Sequence, residues 1–177
     1  MWFKIKQIQT STFKNFTVIN DLISVNGQQI VYNYIDKQPG VTIIPILPGN
    51  KILLVQQFRY LCKKDCWELP GGRVHKTEST IDSATRELEE ETGFRAREIE
   101  LLFSTFSSPG VSSELVYVYC AKNLIKNEQT LDLTELDIQV GMFDFDECIK
   151  MIENGSIVSA VDALAIIYAN LRGKYEA

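Results

Sequence analysis

GRVHKTESTIDSATRELEEETGF, residues 72–94, is the stretch on which the reading of this chain turns. It reads as a short amphipathic helix preceded by glycine and ended by glycine. Residues three and four apart share a helix face, so Glu87 lies beside Glu90 and Glu91. Like charges at that spacing repel and weaken an isolated helix. Three clustered carboxylates therefore point to a hard divalent cation, since Mg²⁺ takes oxygen ligands at about 2.0–2.1 Å and commonly keeps one or two carboxylates beside waters and phosphates. The blander reading is a solvated glutamate-rich helix. The flanking features argue against it. Pro70, Gly71 and Gly72 are expected to form a loop in which the missing Cβ lets backbone approach a ligand. Thr77 or Ser79 can cap the helix, Glu78 and Asp82 suit its first turn, and Gly93 suits its end. Ile81, Ala84 and Leu88 form the stripe expected to pack on a core, and Arg86 can pair with a carboxylate and orient it.

The remaining composition narrows the function classes. The chain has 177 residues, enough for one domain with a real core and a small appendage. Its net charge of −5 argues against non-specific nucleic-acid binding. No apolar run reaches the length of a membrane span and no signal-peptide pattern opens the chain, so a cytoplasmic protein is expected. The single histidine, His75, excludes a multi-histidine metal site and reads as a solvated loop residue. Cys62 and Cys66 lack a second pair or a histidine to complete a zinc set, and Cys120 and Cys148 fall in apolar segments. Four thiols in a reducing compartment are expected.

Along the chain, residues 1–40 alternate in short β-like runs, with Asn26-Gly27 as a two-residue hairpin signal. This is expected to be a small antiparallel sheet that cannot hide both faces alone. Residues 41–177 form the second part. Strands at Val41–Leu47 and Lys51–Arg59 flank the turn Pro48-Gly49-Asn50, and further strands are expected near 99–106, 114–121 and 138–143. Helices at about 146–153 and 159–171 close the chain. Mixed strands with helices on both sides predict an α/β/α sandwich.

Gly72, Glu78 and Arg86-Glu87-Leu88-Glu89-Glu90-Glu91-Thr92-Gly93-Phe94 match the Nudix box, GX5EX7REUXEEXGU, at every defined position. The chain thus resembles the Nudix hydrolases, which cleave a nucleoside diphosphate linked to another group. The resemblance implies the same α/β/α sandwich, Mg²⁺ or Mn²⁺ as cofactor, and Glu87, Glu90 and Glu91 as metal ligands together with the carbonyl of Gly71. It gives Arg86 an orienting role and Glu78 a structural one. Outside the box, Gln56–Tyr60 and Trp67-Glu68-Leu69-Pro70 are similar to segments of the ADP-ribose and nucleoside-diphosphate-sugar pyrophosphatase branch. Pro109-Gly110 resembles that branch's proline marker, and Ser113-Glu114 a pair lying near its terminal sugar. The N-terminal sheet is similar to a small domain that commonly packs across a homodimer in that branch.

Each of these residues also has a plainer reading. Arg59 is either a phosphate partner, which its planar fork suits, or a surface arginine. Trp67 is either core or base-pocket wall. Glu68 is a carboxylate near metal or ribose, and Glu114 could be an ordinary strand carboxylate. The tyrosines Tyr32, Tyr34, Tyr117 and Tyr119 read as strand packing. The general base implied by the resemblance is a loop glutamate, here Glu135, with Asp132, Asp137 and Glu90 as rivals. The expected reaction is hydrolysis of ADP-ribose or a related nucleoside-diphosphate sugar, a small-molecule substrate. Alternatives are GDP-mannose, other nucleoside-diphosphate sugars, oxidised nucleoside triphosphates, or a non-catalytic nucleotide-binding regulator.

Overall fold

Trp2–Thr12 (β1), Thr17–Val25 (β2) and Gln28–Asp36 (β3) form a three-stranded antiparallel sheet in the order β1-β2-β3. The computed structural model describes residues 1–131 and 137–175, with the side chains of 174 and 175 left out. The β2–β3 hairpin turns at Asn26 (φ 51°) and Gly27 (φ 85°), and Val25 pairs with Gln28. Both turn residues are left-handed, which is the backbone an Asn-Gly pair favours. This sheet forms one compact unit, Met1–Pro39, which also takes in Phe106–Leu115. That distant segment is stitched to β3: the Ile35 N–H donates to the Val111 carbonyl at 2.8 Å, and the Ser113 N–H donates to the Ile35 carbonyl at 2.9 Å.

The second unit comprises Gly40–Thr105 and the chain from Val116 onward. Its strands are Gly40–Leu47 (β4), Lys51–Arg59 (β5), Lys64–Glu68 (β6), Gly71–Arg73 (β7), Phe94–Phe106 (β8), Leu115–Lys126 (β9) and Gln139–Asp144 (β10), the outermost residues of β8 and β9 reaching beyond it. They form one mixed sheet along the path β10-β5-β4-β9-β8, with β6 on β5 and β7 on β4. The β4–β9 pair is parallel, while β4 runs antiparallel to β5 and to β7. Alternate residues of a strand point to opposite faces, and the apolar runs of β4 and β9 use both. Ile44, Ile52, Leu54 and Val118 pack with Phe145 and Cys148 of helix Phe145–Glu153 (α2; Thr80–Thr92 is α1) and with Ala165 and Ile166 of helix Ala160–Tyr175 (α3). Val41, Ile43, Tyr119 and Ala121 pack on the other face with Ala84 and Leu88 of α1. The second unit is thus the α/β/α sandwich that the sequence predicted. Among the described residues no helix is long and apolar enough to cross a membrane.

Two expectations need correction. Gly71 and Gly72 are not loop but strand β7, with Thr42 opposite Gly71 and Val41 opposite Gly72. A Cβ on Gly71 would collide with the Val41 carbonyl, and one on Gly72 with the Glu87 carboxylate. Here the absent side chains admit the protein's own atoms, and the strand is conferred by β4 rather than by local propensity. Ile81 is exposed, whereas Ser83 is fully buried beside Ala84 and Leu88. The buried face of α1 is therefore rotated toward Ser83, Glu87 and Glu91, which find polar partners there.

Candidate active site

Ser79 starts α1: its side chain accepts the Asp82 N–H at 3.2 Å. Gly93 ends the helix at φ 69° with its N–H on the Glu89 carbonyl at 2.9 Å. These caps fix which residues face the glycine strand. Glu87 and Glu91 are buried on that side, while Glu90 stays half-exposed. The Glu91 Oε2 accepts the Gly71 N–H at 2.9 Å, so α1 and β7 are tied at the point where the backbone leaves Pro70.

Arg86 organises the carboxylates. Its Nη1 donates to Glu90 Oε2 at 2.7 Å and lies 3.0 Å from Glu87 Oε1. Its Nε donates to Glu78 Oε1 at 2.9 Å, and Ser83 Oγ donates to Glu78 Oε2 at 2.6 Å. The Arg86 guanidinium and the Ser83 hydroxyl hold the Glu78 carboxyl down at about 2. Burial works against the charge on Arg86, but the hydrogen bonds to Glu78 and Glu90 outweigh it and keep the guanidinium ionised. Glu78 is thus a buttress for Arg86, and Arg86 in turn orients Glu87 and Glu90.

The groups expected to hold a cation, Glu87, Glu90, Glu91 and the Gly71 carbonyl, offer only oxygen, which suits a hard divalent ion and not a soft one. Among the described residues, no three acidic, histidine or cysteine side chains converge on one point. Instead the three carboxylates are turned toward Arg86, Gly72 and the Gly71 N–H. The chemistry fits a hard cation. Convergence requires rotation of glutamate side chains that share one helix face.

A second cluster lies just before the glycine strand. Arg59, at the end of β5, forms a two-pronged pair with buried Glu68 of β6: Nε donates to Oε1 at 2.7 Å and Nη2 to Oε2. The sequence predicted both residues but not their pairing. Leu69 follows, and its N–H donates to Asp162 Oδ2 of α3 at 3.3 Å. Burial, reinforced by the negative charge of Glu68, pushes the Asp162 carboxyl up to about 7. Sequence reasoning passed over Asp162, because an acid in a helix's first turn is expected for the dipole alone. Trp67 packs edge-on against Phe143 with ring centres 4.8 Å apart, and a side chain on Gly141 would strike it.

Pro109, Gly110, Ser113 and Glu114 are in the first unit. Pro109 and Gly110 are exposed in the loop that meets β3. Ser113 Oγ donates to Asp36 Oδ1 at 2.7 Å, and Glu114 pairs with Lys37 Nζ at 2.5 Å while accepting from Ser107 Oγ at 2.8 Å. Glu135 and its rival Asp132 lie outside the described residues, while Asp137 is an exposed turn residue.

A family model described as NUDIX domain matches residues 36–157. The methanol dehydrogenase activator of Bacillus methanolicus is 31% identical over 175 residues, covering 96% of this chain and 95% of that protein. The ADP-ribose pyrophosphatase of Bacillus subtilis is 32% identical over 143 residues, covering 80% and 77%. A solved structure, described as the crystal structure of an ADP compounds hydrolase, superposes with a TM-score of 0.86 at 19% identity over 99% of this chain and 96% of that one. At that identity the structural likeness speaks for the fold.

Proposed function

We propose that this chain, which belongs to the Nudix family, hydrolyses the diphosphate bond of nucleoside-diphosphate sugars, with ADP-ribose as its foremost substrate. The products are a nucleoside monophosphate and a sugar phosphate, AMP and ribose 5-phosphate from ADP-ribose. The observation that carries the reading is the carboxylate face of α1, with Arg86 braced by Glu78 behind it and Glu91 tied to the glycine strand.

When bound, a divalent cation, Mg²⁺ or Mn²⁺, neutralises diphosphate oxygens and acidifies a water. Glu87, Glu90, Glu91 and the Gly71 carbonyl are the groups that would hold it. Arg86 keeps Glu87 and Glu90 oriented, which limits the reorganisation needed when substrate arrives. Arg59 is assigned to a phosphate through the edge of its guanidinium that Glu68 does not take, with Glu68 fixing the plane of the group through Nε and Nη2. Ser113, Glu114, Pro109 and Gly110 are assigned to the sugar end, and Trp67 to the wall beside the base. Glu135 is assigned as general base, with Glu90 as its rival.

The cysteine content, three buried thiols and the exposed Cys62, suits a reducing compartment, so we place the work in the cytoplasm. The three-stranded sheet of the first unit is assigned as a homodimer contact.

The test is a Mg²⁺-dependent product assay over ADP-ribose, other nucleoside-diphosphate sugars, NADH, diadenosine polyphosphates and nucleoside triphosphates. AMP and ribose 5-phosphate released fastest from ADP-ribose is the expected result. Preference for triphosphates, or no turnover of any diphosphate sugar, sinks the assignment. A second reading rests on the likeness to the methanol dehydrogenase activator across 96% of this chain. In it the chain raises the rate of a partner dehydrogenase, and a coupled dehydrogenase assay with and without the chain separates the two.

A further inference from the structure

We infer that Asp162, in the first turn of α3, is a positioning residue for the cation-binding side of the site, acting through the backbone of Leu69–Gly71. The inference rests on the diphosphatase reading above for what that backbone does, but on the structure for how it is held.

The segment between Glu68 and Gly71 is fastened at three successive points. Asp162 Oδ2 accepts the Leu69 N–H at 3.3 Å. The Pro70 carbonyl accepts the Ile43 N–H of β4 at 2.9 Å. Glu91 Oε2 accepts the Gly71 N–H at 2.9 Å. The first point comes from α3, the second from the sheet and the third from α1, so three elements converge on three residues. One end of the segment carries Glu68 and its grip on Arg59, and the other carries the Gly71 carbonyl assigned to the cation.

Asp162 is held for this contact. Its own N–H donates to Ser159 Oγ at 3.3 Å, and the Ala163 N–H donates to the Ser159 carbonyl at 3.0 Å, which starts the helix at a fixed place. The residue is 5% exposed, close to a second acid, Glu68. A carboxyl is costly in such surroundings, and burial pushes it up to about 7. An apolar side chain would fill the space at no such cost, but it would leave the buried Leu69 N–H without an acceptor. What the position requires is an oxygen acceptor aimed at Leu69.

That requirement separates Asp162→Asn, which keeps an acceptor oxygen, from Asp162→Ala and Asp162→Leu, which remove it. The reporter is Mn²⁺ alone, titrated into the full chain and followed by electron paramagnetic resonance. Outer partners of metal ligands typically matter by about 10–100-fold, so the Ala and Leu variants are expected to weaken Mn²⁺ binding by roughly tenfold. Asp162→Asn is expected to bind near the wild-type level. Unchanged Mn²⁺ binding in the Ala or Leu variant, or an Asn variant as weak as these, overturns the inference. Should both apolar variants fail to fold, hydrogen exchange in the wild-type protein decides: a protected Leu69 amide is expected, and a freely exchanging one overturns the contact. ADP-ribose turnover is recorded alongside. A wild-type chain that binds Mn²⁺ yet cleaves no diphosphate sugar overturns the substrate reading and leaves the Asp162 comparison standing.

Discussion

Arg86 shows how one side chain can make a cluster of acids tolerable. It sits between Glu78 on one side and Glu87 and Glu90 on the other, so carboxylates that would repel share one cation. Glu91 escapes that arrangement, being buried and bonded to the Gly71 N–H instead. Glu91→Gln keeps an acceptor for that N–H and removes a charged ligand. It should therefore leave thermal unfolding close to wild type while cutting metal-dependent turnover on the order of 100-fold or more. Retained turnover would remove Glu91 from the ligand set. A parallel measurement on Glu135→Gln tests the base, because unchanged turnover there shifts the role to Glu90. Asp162 gives a stability prediction of a definite sign. Its carboxyl is near 7 when folded against an ordinary 3.8, so the folded state holds a proton the unfolded chain has released. That contribution is complete below pH 3.8 and is lost as pH rises through about 7; burial is the main cause of the shift, Glu68 reinforces it and Arg59 opposes it. Asp162→Asn does not titrate. Its stability relative to wild type should therefore improve on the order of 3 kcal/mol between about pH 4 and about pH 8 in urea unfolding. A difference that stays flat with pH would show that Asp162 is not raised.

Strand β7 and helix α1 meet across two glycines with different neighbours, and substitution should separate their roles. A Cβ on Gly71 would meet the Val41 carbonyl and Thr42 Cα, which are backbone of a central strand and cannot step aside. A Cβ on Gly72 would first meet the Glu87 carboxylate, the far end of a flexible side chain. Gly71→Ala should therefore lower stability by about 1–3 kcal/mol. Gly72→Ala should unfold close to wild type yet lose turnover, because Glu87 is pushed from its place beside Arg86. Chemical denaturation and kcat measured on both variants check the split, and equal unfolding midpoints would contradict it. The same pair of elements shows what the sequence made legible. Helix α1 could be read with its cap, its stop and its acids, because caps and charge spacing are local signals. The Asn-Gly hairpin was legible for the same reason. Strands β6 and β7 were not: Lys64–Glu68 lacks clean alternation, and Gly71–Arg73 becomes a strand only because β4 pairs with it. Likewise Arg59 and Glu68 could be singled out in sequence but not paired, and Asp162 is an ordinary first-turn acid there. Their association depends on β5, β6 and α3 being brought together by the fold.

The three-stranded sheet raises the question of how the chain behaves in solution. Trp2, Phe3, Ile5 and Ile8 of its outer strand are all exposed, an apolar concentration beyond the scattered surface residues that need no explanation. A sheet of three strands cannot bury two faces by itself. Strand β1 also departs from regular pairing with β2 between Lys4 and Lys6 and again between Gln7 and Gln9, leaving Ile5 and Ile8 at the irregularities. Bulges of this kind twist an edge and discourage another strand from adding to it. The exposed apolar side chains of β1 rather than its edge are therefore the part left to cover, and a second copy of this chain is the occupant proposed for them. Sedimentation equilibrium should give a species of twice 20.1 kDa. Phe3→Glu combined with Ile8→Glu places charges on exposed positions, so it should leave the monomer folded and shift the equilibrium to it. Loss of association with unchanged melting would locate the contact on this sheet. A wild-type chain that sediments as a monomer across the micromolar range would remove the dimer and leave these apolar side chains to some other cover.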